Sequence, residues 1–390
     1  MRILVLAWEF PPRIIGGIAR HVAELYPEMV KLGHEIHLLT VECDSAPLYE
    51  IVEGIKVHRV GVSEGHDFFH WVVNMNESMG REGGKLILAE EPFDLIHAHD
   101  WVVSDAAIAL NHHFQVPLIA TIHATEYGRY NGLHNHTHYY INGKEKHLAR
   151  QARRIIVCSK YMQGEVEETL ESPADKIDVI YNGIRPEKKR PIPPSDAWEL
   201  RRKFASHEEK IVYYLGRMSY EKGVDLLLGA APKILSEMGG NVKFVIIGGG
   251  RTDHLQRQAS DLGIWHQCCF TGFMSEADLD KFQTIADCAV FPSLYEPFGI
   301  VALESFAARV PVVVSDAGGL KEVVHHRKTG IVTWTNNIDS LASGILEVLY
   351  NPDYAQYLVE NAYQDLQRRF SWSQLAQQTE AVYQQVLSPS

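Results

Sequence analysis

The sequence predicts an α/β protein of two domains, each built on a parallel sheet, and three observations predict it. Short β-branched runs alternate with longer amphipathic stretches from the first residue onward, in both halves of the chain. A proline-rich, basic segment between Pro186 and Asp196 interrupts that alternation. The length of 390 residues also exceeds the roughly 250–300 at which a single core stops growing.

The first half opens on Ile3–Ala7, a buried strand by its apolar character and too short for a signal or membrane segment before Trp8, Glu9 and two prolines. Glu35–Thr40, Leu95–Ala98, Leu118–Ile122 and Arg154–Cys158 read as further strands, with helices near Ile18–Leu32, Ser104–His113 and Lys144–Gln151. Strands separated by helices imply βαβ units, because parallel neighbours need a crossover connection. After Tyr181-Asn182-Gly183, the segment Pro186–Asp196 holds four prolines and three consecutive basic residues, which suit neither a helix interior nor a central strand. A second series follows, with strands at Ile211–Leu215, Lys243–Ile247, Cys268–Thr271, Cys288–Phe291, Val310–Ser315 and Gly330–Val332. From Asp339 the pattern is helical, and Leu341, Ile345, Val348 and Leu349 form one apolar stripe.

Composition narrows the function. With 46% hydrophobic and 22% charged residues the chain is of ordinary globular type. A net charge of −12 argues against non-specific nucleic-acid binding, and a negatively charged ligand needs a local basic pocket. Five cysteines without metal-ligand spacing point to a reducing compartment. The chain therefore reads as cytoplasmic, without a membrane span; oligomeric state is not encoded in any feature.

The chemistry-bearing residues cluster in a few loops. In Glu296-Pro-Phe298-Gly299-Ile300-Val301-Ala-Leu-Glu304 two carboxylates flank a helix start, where the N–H groups of Gly299, Ile300 and Val301 suit phosphate. Carboxylates repel phosphate, so Glu296 and Glu304 are better matched to sugar hydroxyls. Glu304 is the polar residue of an apolar helix, and a buried acid needs partners. Gly216-Arg217 and Lys222 lie in a strand-to-helix loop, and their two cations suit a diphosphate. Gly16-Gly17 precedes a helix but lacks the GxGxxG fingerprint of dinucleotide sites. His97-Ala-His99-Asp100 is a weak metal pair, and no Asp-x-Asp motif stands out, so no metal and no cofactor are expected.

These elements, in this order and across nearly the whole chain, resemble the retaining glycosyltransferases of family 4, a GT-B family that includes bacterial glycogen synthases and sucrose-phosphate synthases. Its marks here are Gly16-Gly17, His123, Asn182-Gly183, Gly216-Arg217-x4-Lys222-Gly223 and the Glu296-x7-Glu304 element. The resemblance implies two Rossmann-like domains facing each other across a cleft: residues 1–188 for the acceptor, residues 197–368 for the nucleotide sugar, and a C-terminal helix in 369–390 packing back on the first domain. It implies that His123 contacts the transferred sugar, with its carbonyl beside the anomeric carbon, and that the Gly17 N–H approaches the donor phosphate, tying domain closure to donor binding. Arg217 and Lys222 would stabilise the leaving diphosphate, Glu296 would hold the donor sugar and Glu304 the ribose. Asn182, Gly216, Phe273, Met274, Ser293, Phe298, Gly299, Ile300 and Val301 are further donor-side carry-overs. Gly17, Asp100, Glu126, Arg129 and Lys160 are acceptor-side candidates, with the Glu126–Arg129 segment read as a loop.

The implied reaction is transfer of glucose from UDP- or ADP-glucose, with the leaving phosphate as base, to fructose 6-phosphate or an α-glucan. A phosphorylated acceptor needs cations in the first domain, for which Arg129, Arg153, Arg154 and Lys160 are candidates. The competing readings are a nucleotide-sugar epimerase of the same architecture and a non-catalytic nucleotide-sugar sensor.

Overall fold

The computed structural model describes residues 1–89, 91–189 and 192–388, so Arg190 and Pro191 of the proline-rich segment lie outside the described residues. The chain divides into two compact units, Met1–Gly183 with Trp372–Ser390, and Ile184–Ser371. The division comes before the proline-rich segment: Pro186–Lys188 forms a 3-10 turn, and Lys189 bonds Asp280 and, at 2.9 Å, Gln283. Residues 184–188, expected in the first domain, thus belong to the second, as do residues 369–371.

In the first unit eight strands make one sheet: β1 (Arg2–Leu6), β2 (Glu35–Val41), β3 (Tyr49–Val52), β4 (Ile55–Val60), β5 (Leu95–His99), β6 (Leu118–Ile122), β7 (Arg154–Val157) and β8 (Ile177–Val179). Their order is β3-β4-β2-β1-β5-β6-β7-β8, parallel except for the β3–β4 hairpin. β1 and β5 are buried throughout because helices cover both faces of a parallel sheet. The helix Gly17–Lys31 covers one face together with the helix Trp372–Leu387, whose Trp372, Leu375, Tyr383 and Val386 join a core with Ile3, Val5, Val22 and Tyr26. Trp372 Nε1 donates to Glu24 at 2.6 Å.

Three features of this unit differ from the sequence reading. The hairpin went unread because β3 is a half-exposed edge strand joined to β4 by Glu53-Gly54, both at positive φ (46° and 87°). The helix Phe68–Ala89 went unread because Gly80, Gly83 and Gly84 lower its helix propensity. Here Gly83 serves close packing, since a Cβ there would sit 2.6 Å from Leu110 Cδ1. The helix expected at Lys144–Gln151 begins at His136, where the Asn135 side chain caps it by accepting the His138 N–H at 3.0 Å.

In the second unit six strands form a wholly parallel sheet: β9 (Lys210–Leu215), β10 (Val242–Ile247), β11 (Cys268–Gly272), β12 (Cys288–Phe291), β13 (Val312–Ser315) and β14 (Ile331–Thr333). Their order is β11-β10-β9-β12-β13-β14, which fits the strands expected here to within two residues at each end. Helices Ile338–Tyr350 and Pro352–Arg369 follow β14. Among the described residues no helix is long and apolar enough to cross a membrane.

Candidate active site

In the second unit the chain builds β9, β10 and β11 in one direction and then β12, β13 and β14 in the other. The loops after β9 and β12 therefore diverge at their carboxyl ends, where open α/β sheets bind ligands. Arg217 and Lys222 follow β9, and Ser293 and Glu296 follow β12. Lys222 Nζ meets Glu296 Oε2 at 2.7 Å, and Ser293 Oγ lies 3.5 Å from the same oxygen. The sequence reading gave the two ions separate ligands; the structure pairs them.

The pairing follows from backbone contacts between the loops. Glu221 O accepts the N–H groups of Leu294 (2.8 Å) and Tyr295 (3.2 Å). Gly223 has φ +64°, and a Cβ on it would lie 2.1 Å from Pro292 O, so only glycine lets the loops close at this point. Arg217, about half exposed, reaches Glu221 Oε1 at 3.4 Å, while Gly216 takes its strained turn beside Tyr214, whose hydroxyl donates to Arg217 O at 2.8 Å.

Gly299, at φ +108°, caps the helix Ile300–Ala307 and aims the N–H groups of Ile300 and Val301 out of its first turn. Glu304 is only 2% exposed, one turn inside. Phe298 corrects an expectation: its ring is buried against Phe370 at 6.0 Å, so it supports the loop from the core side. Phe273 and Met274 stand past the end of edge strand β11, Phe273 77% exposed.

The first unit presents a second cluster at the carboxyl ends of β1, β5 and β6. Glu9, which sequence reasoning did not single out, is buried and accepts the Ile15 and Gly16 N–H groups through Oε2 at 2.6 and 2.7 Å. It thereby fixes the glycine loop from which Gly17 starts its helix. Burial raises its pKa, against those two bonds. The available signal was an acid between Trp8 and Phe10 in an otherwise apolar opening.

His123, past β6, donates its backbone N–H to Asp100 Oδ1 at 2.7 Å, and Asp100 takes φ +62° to make that bond. Burial pushes the Asp100 carboxyl up to about 7. The His123 ring stacks on His99, with Nε2 3.1 Å from His99 Nδ1, and meets His21 edge to face. His99 Nε2 pairs with Tyr26 (2.7 Å), Tyr26 with His97 Nδ1 (3.0 Å), and His97 Nδ1 with Tyr383 of the C-terminal helix (2.6 Å). Burial lowers the pKa of His21 to about 4 and of His97 to about 3, and drives His99 and His123 well down, so all four are neutral imidazoles near pH 7.

Among the described residues His21, His99 and His123 form the group whose ring nitrogens, within 4.8 Å of one another, could hold a metal ion. His99 Nδ1 and His123 Nε2 are already hydrogen-bonded to one another. His97, from the motif noted in the sequence, turns instead to Thr121 Oγ1 at 2.7 Å.

Several other expectations change. Asn182 lies in the first unit, 3% exposed, with Oδ1 bonded to His21 Nδ1 at 2.7 Å, so its side chain serves the histidine cluster. Glu126–Tyr130 is a short helix capped by Thr125, and the Glu126 N–H donates to Glu145, whose carboxyl burial raises to about 8. Arg153 and Arg154 sit at the amino end of β7, remote from His123 along the strands: Arg154 forks onto Asp178 at 2.7 and 2.8 Å and Arg153 reaches Val386 O. Arg129, within electrostatic reach of Asp100, Glu126 and Glu145, and Lys160, opening the helix after β7, keep their places near the carboxyl ends.

The family described as "Glycosyltransferase Family 4" matches residues 15–188, and "Glycosyl transferases group 1" matches residues 196–365. An uncharacterised glycosyltransferase of Methanocaldococcus jannaschii is 38% identical over 389 residues, 98% of each chain. The chain belongs to glycosyltransferase family 4. A glycogen synthase of Mycobacterium tuberculosis is 33% identical to this glycosyltransferase, over 98% of this chain and 94% of that one. Sucrose-phosphate synthase from Thermosynechococcus elongatus superposes with a TM-score of 0.85 over the full length of both chains at 22% identity, which shows a shared GT-B fold.

Proposed function

We propose that this glycosyltransferase moves glucose from UDP- or ADP-glucose to a sugar acceptor with retention at the anomeric carbon and without a metal or cofactor. The observation that carries the reading is the Lys222–Glu296 pair, with Arg217 beside it, at the strand-order reversal between β9 and β12. A diphosphate arriving there meets two cations, and Lys222 exchanges one oxyanion, the Glu296 carboxylate, for another. Glu296 is then released to accept hydroxyls of the sugar, while the N–H groups of Ile300 and Val301 take phosphate oxygens and Glu304 faces the ribose. In the first unit His123 and Asp100 hold the acceptor side, with His123 as a neutral hydrogen-bonding group. The reaction needs no protein nucleophile if the leaving phosphate takes the acceptor proton.

The glycogen synthase relative and the sucrose-phosphate synthase neighbour support glucose as the transferred group. Neither gives support to an epimerase. The test is a screen of UDP- and ADP-glucose against fructose 6-phosphate, fructose and a maltooligosaccharide, following nucleotide diphosphate release and the product's anomeric configuration by NMR. Acceptor-dependent release with retention is expected, unchanged by EDTA; turnover of the nucleotide sugar alone to an isomer, or no turnover with any pair, overturns the proposal.

A further inference from the structure

The site described so far leaves unused a group of aromatic rings in the first unit. Trp101 follows Asp100, an acceptor-side candidate, and Trp8 precedes Glu9, which fixes the glycine loop. The helix Phe68–Ala89 adds Phe68, Phe69 and Trp71 from its first turn, and the helix His136–Gln151 adds Tyr140. The rings run on from one another: Trp8 to Trp71 at 6.3 Å, Trp71 stacked on Phe68 at 6.1 Å, Phe68 and Phe69 against Trp101 at 6.3 and 6.4 Å, and Phe69 to Tyr140 at 5.2 Å. None of the six is buried, and Phe68 and Tyr140 are 46% and 44% exposed. Exposed aromatic area gathered from four segments of chain is unfavourable in water unless something covers it.

We infer that these rings are the platform for the acceptor, and that the acceptor is an uncharged oligosaccharide. A pyranose ring carries its C–H bonds on its faces and its hydroxyls on its rim. The faces stack on aromatic rings, whose electron-rich faces attract the polarised C–H groups. The rim hydroxyls are left for polar neighbours, and Asp100 adjoins Trp101 in the chain.

Charge separates this reading from a phosphorylated acceptor. Two cations adjoin the platform: Arg13 lies over Trp8 and Trp71 at 5.9 and 5.5 Å, and Lys144 is bonded to Asp105 at 2.7 Å. Of the four cations a phosphate could use, Arg153 and Arg154 are at the other end of the strands, and Arg129 already faces the carboxyls of Asp100, Glu126 and Glu145, which leaves Lys160. A lipid surface is a poorer match, because interfacial patches pair Trp, Phe and Leu with surplus Lys and Arg, whereas this chain carries −12.

The inference rests on the glycosyl-transfer reading for its role and is testable without it. Intrinsic tryptophan fluorescence of the full chain is titrated with neutral linear oligosaccharides (maltoheptaose, cellohexaose and laminarihexaose), with fructose 6-phosphate and with phosphatidylcholine vesicles. Saturable quenching by at least one oligosaccharide is expected, with its Kd raised about tenfold by Phe68→Ala and further by Phe68→Ala with Tyr140→Ala. Both side chains are exposed, so far-UV circular dichroism and thermal midpoints matching the wild type are expected alongside. No response to any oligosaccharide, equal Kd values in the variants, or a response to fructose 6-phosphate or vesicles alone overturns the inference. UDP and ADP binding, measured separately by calorimetry, keeps the two failures apart: nucleotide binding without oligosaccharide binding sinks the platform and leaves the transferase reading standing. Oligosaccharide binding without nucleotide binding does the opposite.

Discussion

The two carboxyl-end clusters solve the cost of burying polar groups in opposite ways. In the second unit Lys222 and Glu296 form an ion pair at 2.7 Å. In the first unit burial shifts the groups toward their neutral forms: Asp100 to about 7, Glu145 to about 8, and four histidines downward. A paired ion can trade its partner for an incoming charge of the same sign, provided hydrogen bonds take up the charge it releases. A network of neutral groups holds shape and hydrogen-bond direction and offers no such exchange. The difference suits the second unit to a diphosphate and the first to hydroxyls.

The largest expected break in this comparison is at the ion pair. Lys222→Ala or Glu296→Gln should lower kcat about 100-fold or more, as loss of a transition-state partner does, and steady-state kinetics on the productive substrate pair checks it. Near-wild-type kcat in both would remove the exchange argument. Next comes Gly223→Ala, where positive φ and the 2.1 Å approach to Pro292 O separate the two loops. A destabilisation of about 1–3 kcal/mol is expected in urea unfolding, with activity falling in parallel.

The pH dependence of stability sharpens the first-unit side. Histidines whose folded pKa is lowered bind fewer protons folded than unfolded, so stability rises with pH until the unfolded value near 6.5. Carboxyls whose folded pKa is raised bind more protons folded, so stability falls with pH from the unfolded value near 4.5 up to about 8 for Glu145. Below 6.5 the lowered histidines of this unit, which also include His34, His37 and His58, outnumber the raised carboxyls Glu9, Asp100, Glu126 and Glu145, and above it the carboxyls act alone. The thermal midpoint should therefore peak between about pH 6 and 7, and Glu145→Gln should flatten its alkaline limb. The smallest effect belongs to Tyr383→Phe, which removes one hydroxyl from His97 and should cost about 1 kcal/mol by the same unfolding measurement.

Much of the second unit was legible because its strands are short β-branched runs bounded by glycine, and because its loop motif places charge at strand ends by spacing alone. The first unit was less so. Glu9 acts six and seven residues away, His21 meets Asn182 across 161 residues, and His97 meets Tyr383 across 286. No local pattern reports such distances. Arg154 illustrates the converse: as a charge near a strand it looked available, but its position at the strand's amino end and its fork onto Asp178 exclude it. The aromatic platform stayed hidden because its rings come from four segments, each unremarkable by itself.

The helix Trp372–Leu387 also sets the order in which the molecule can be completed. It supplies core residues to the first unit, yet it leaves the ribosome only after all of Ile184–Ser371. The half of the protein that is begun first is finished last, so the nascent first unit waits with an apolar face beside β1 uncovered while the second, whose residues are contiguous, is free to fold on its own.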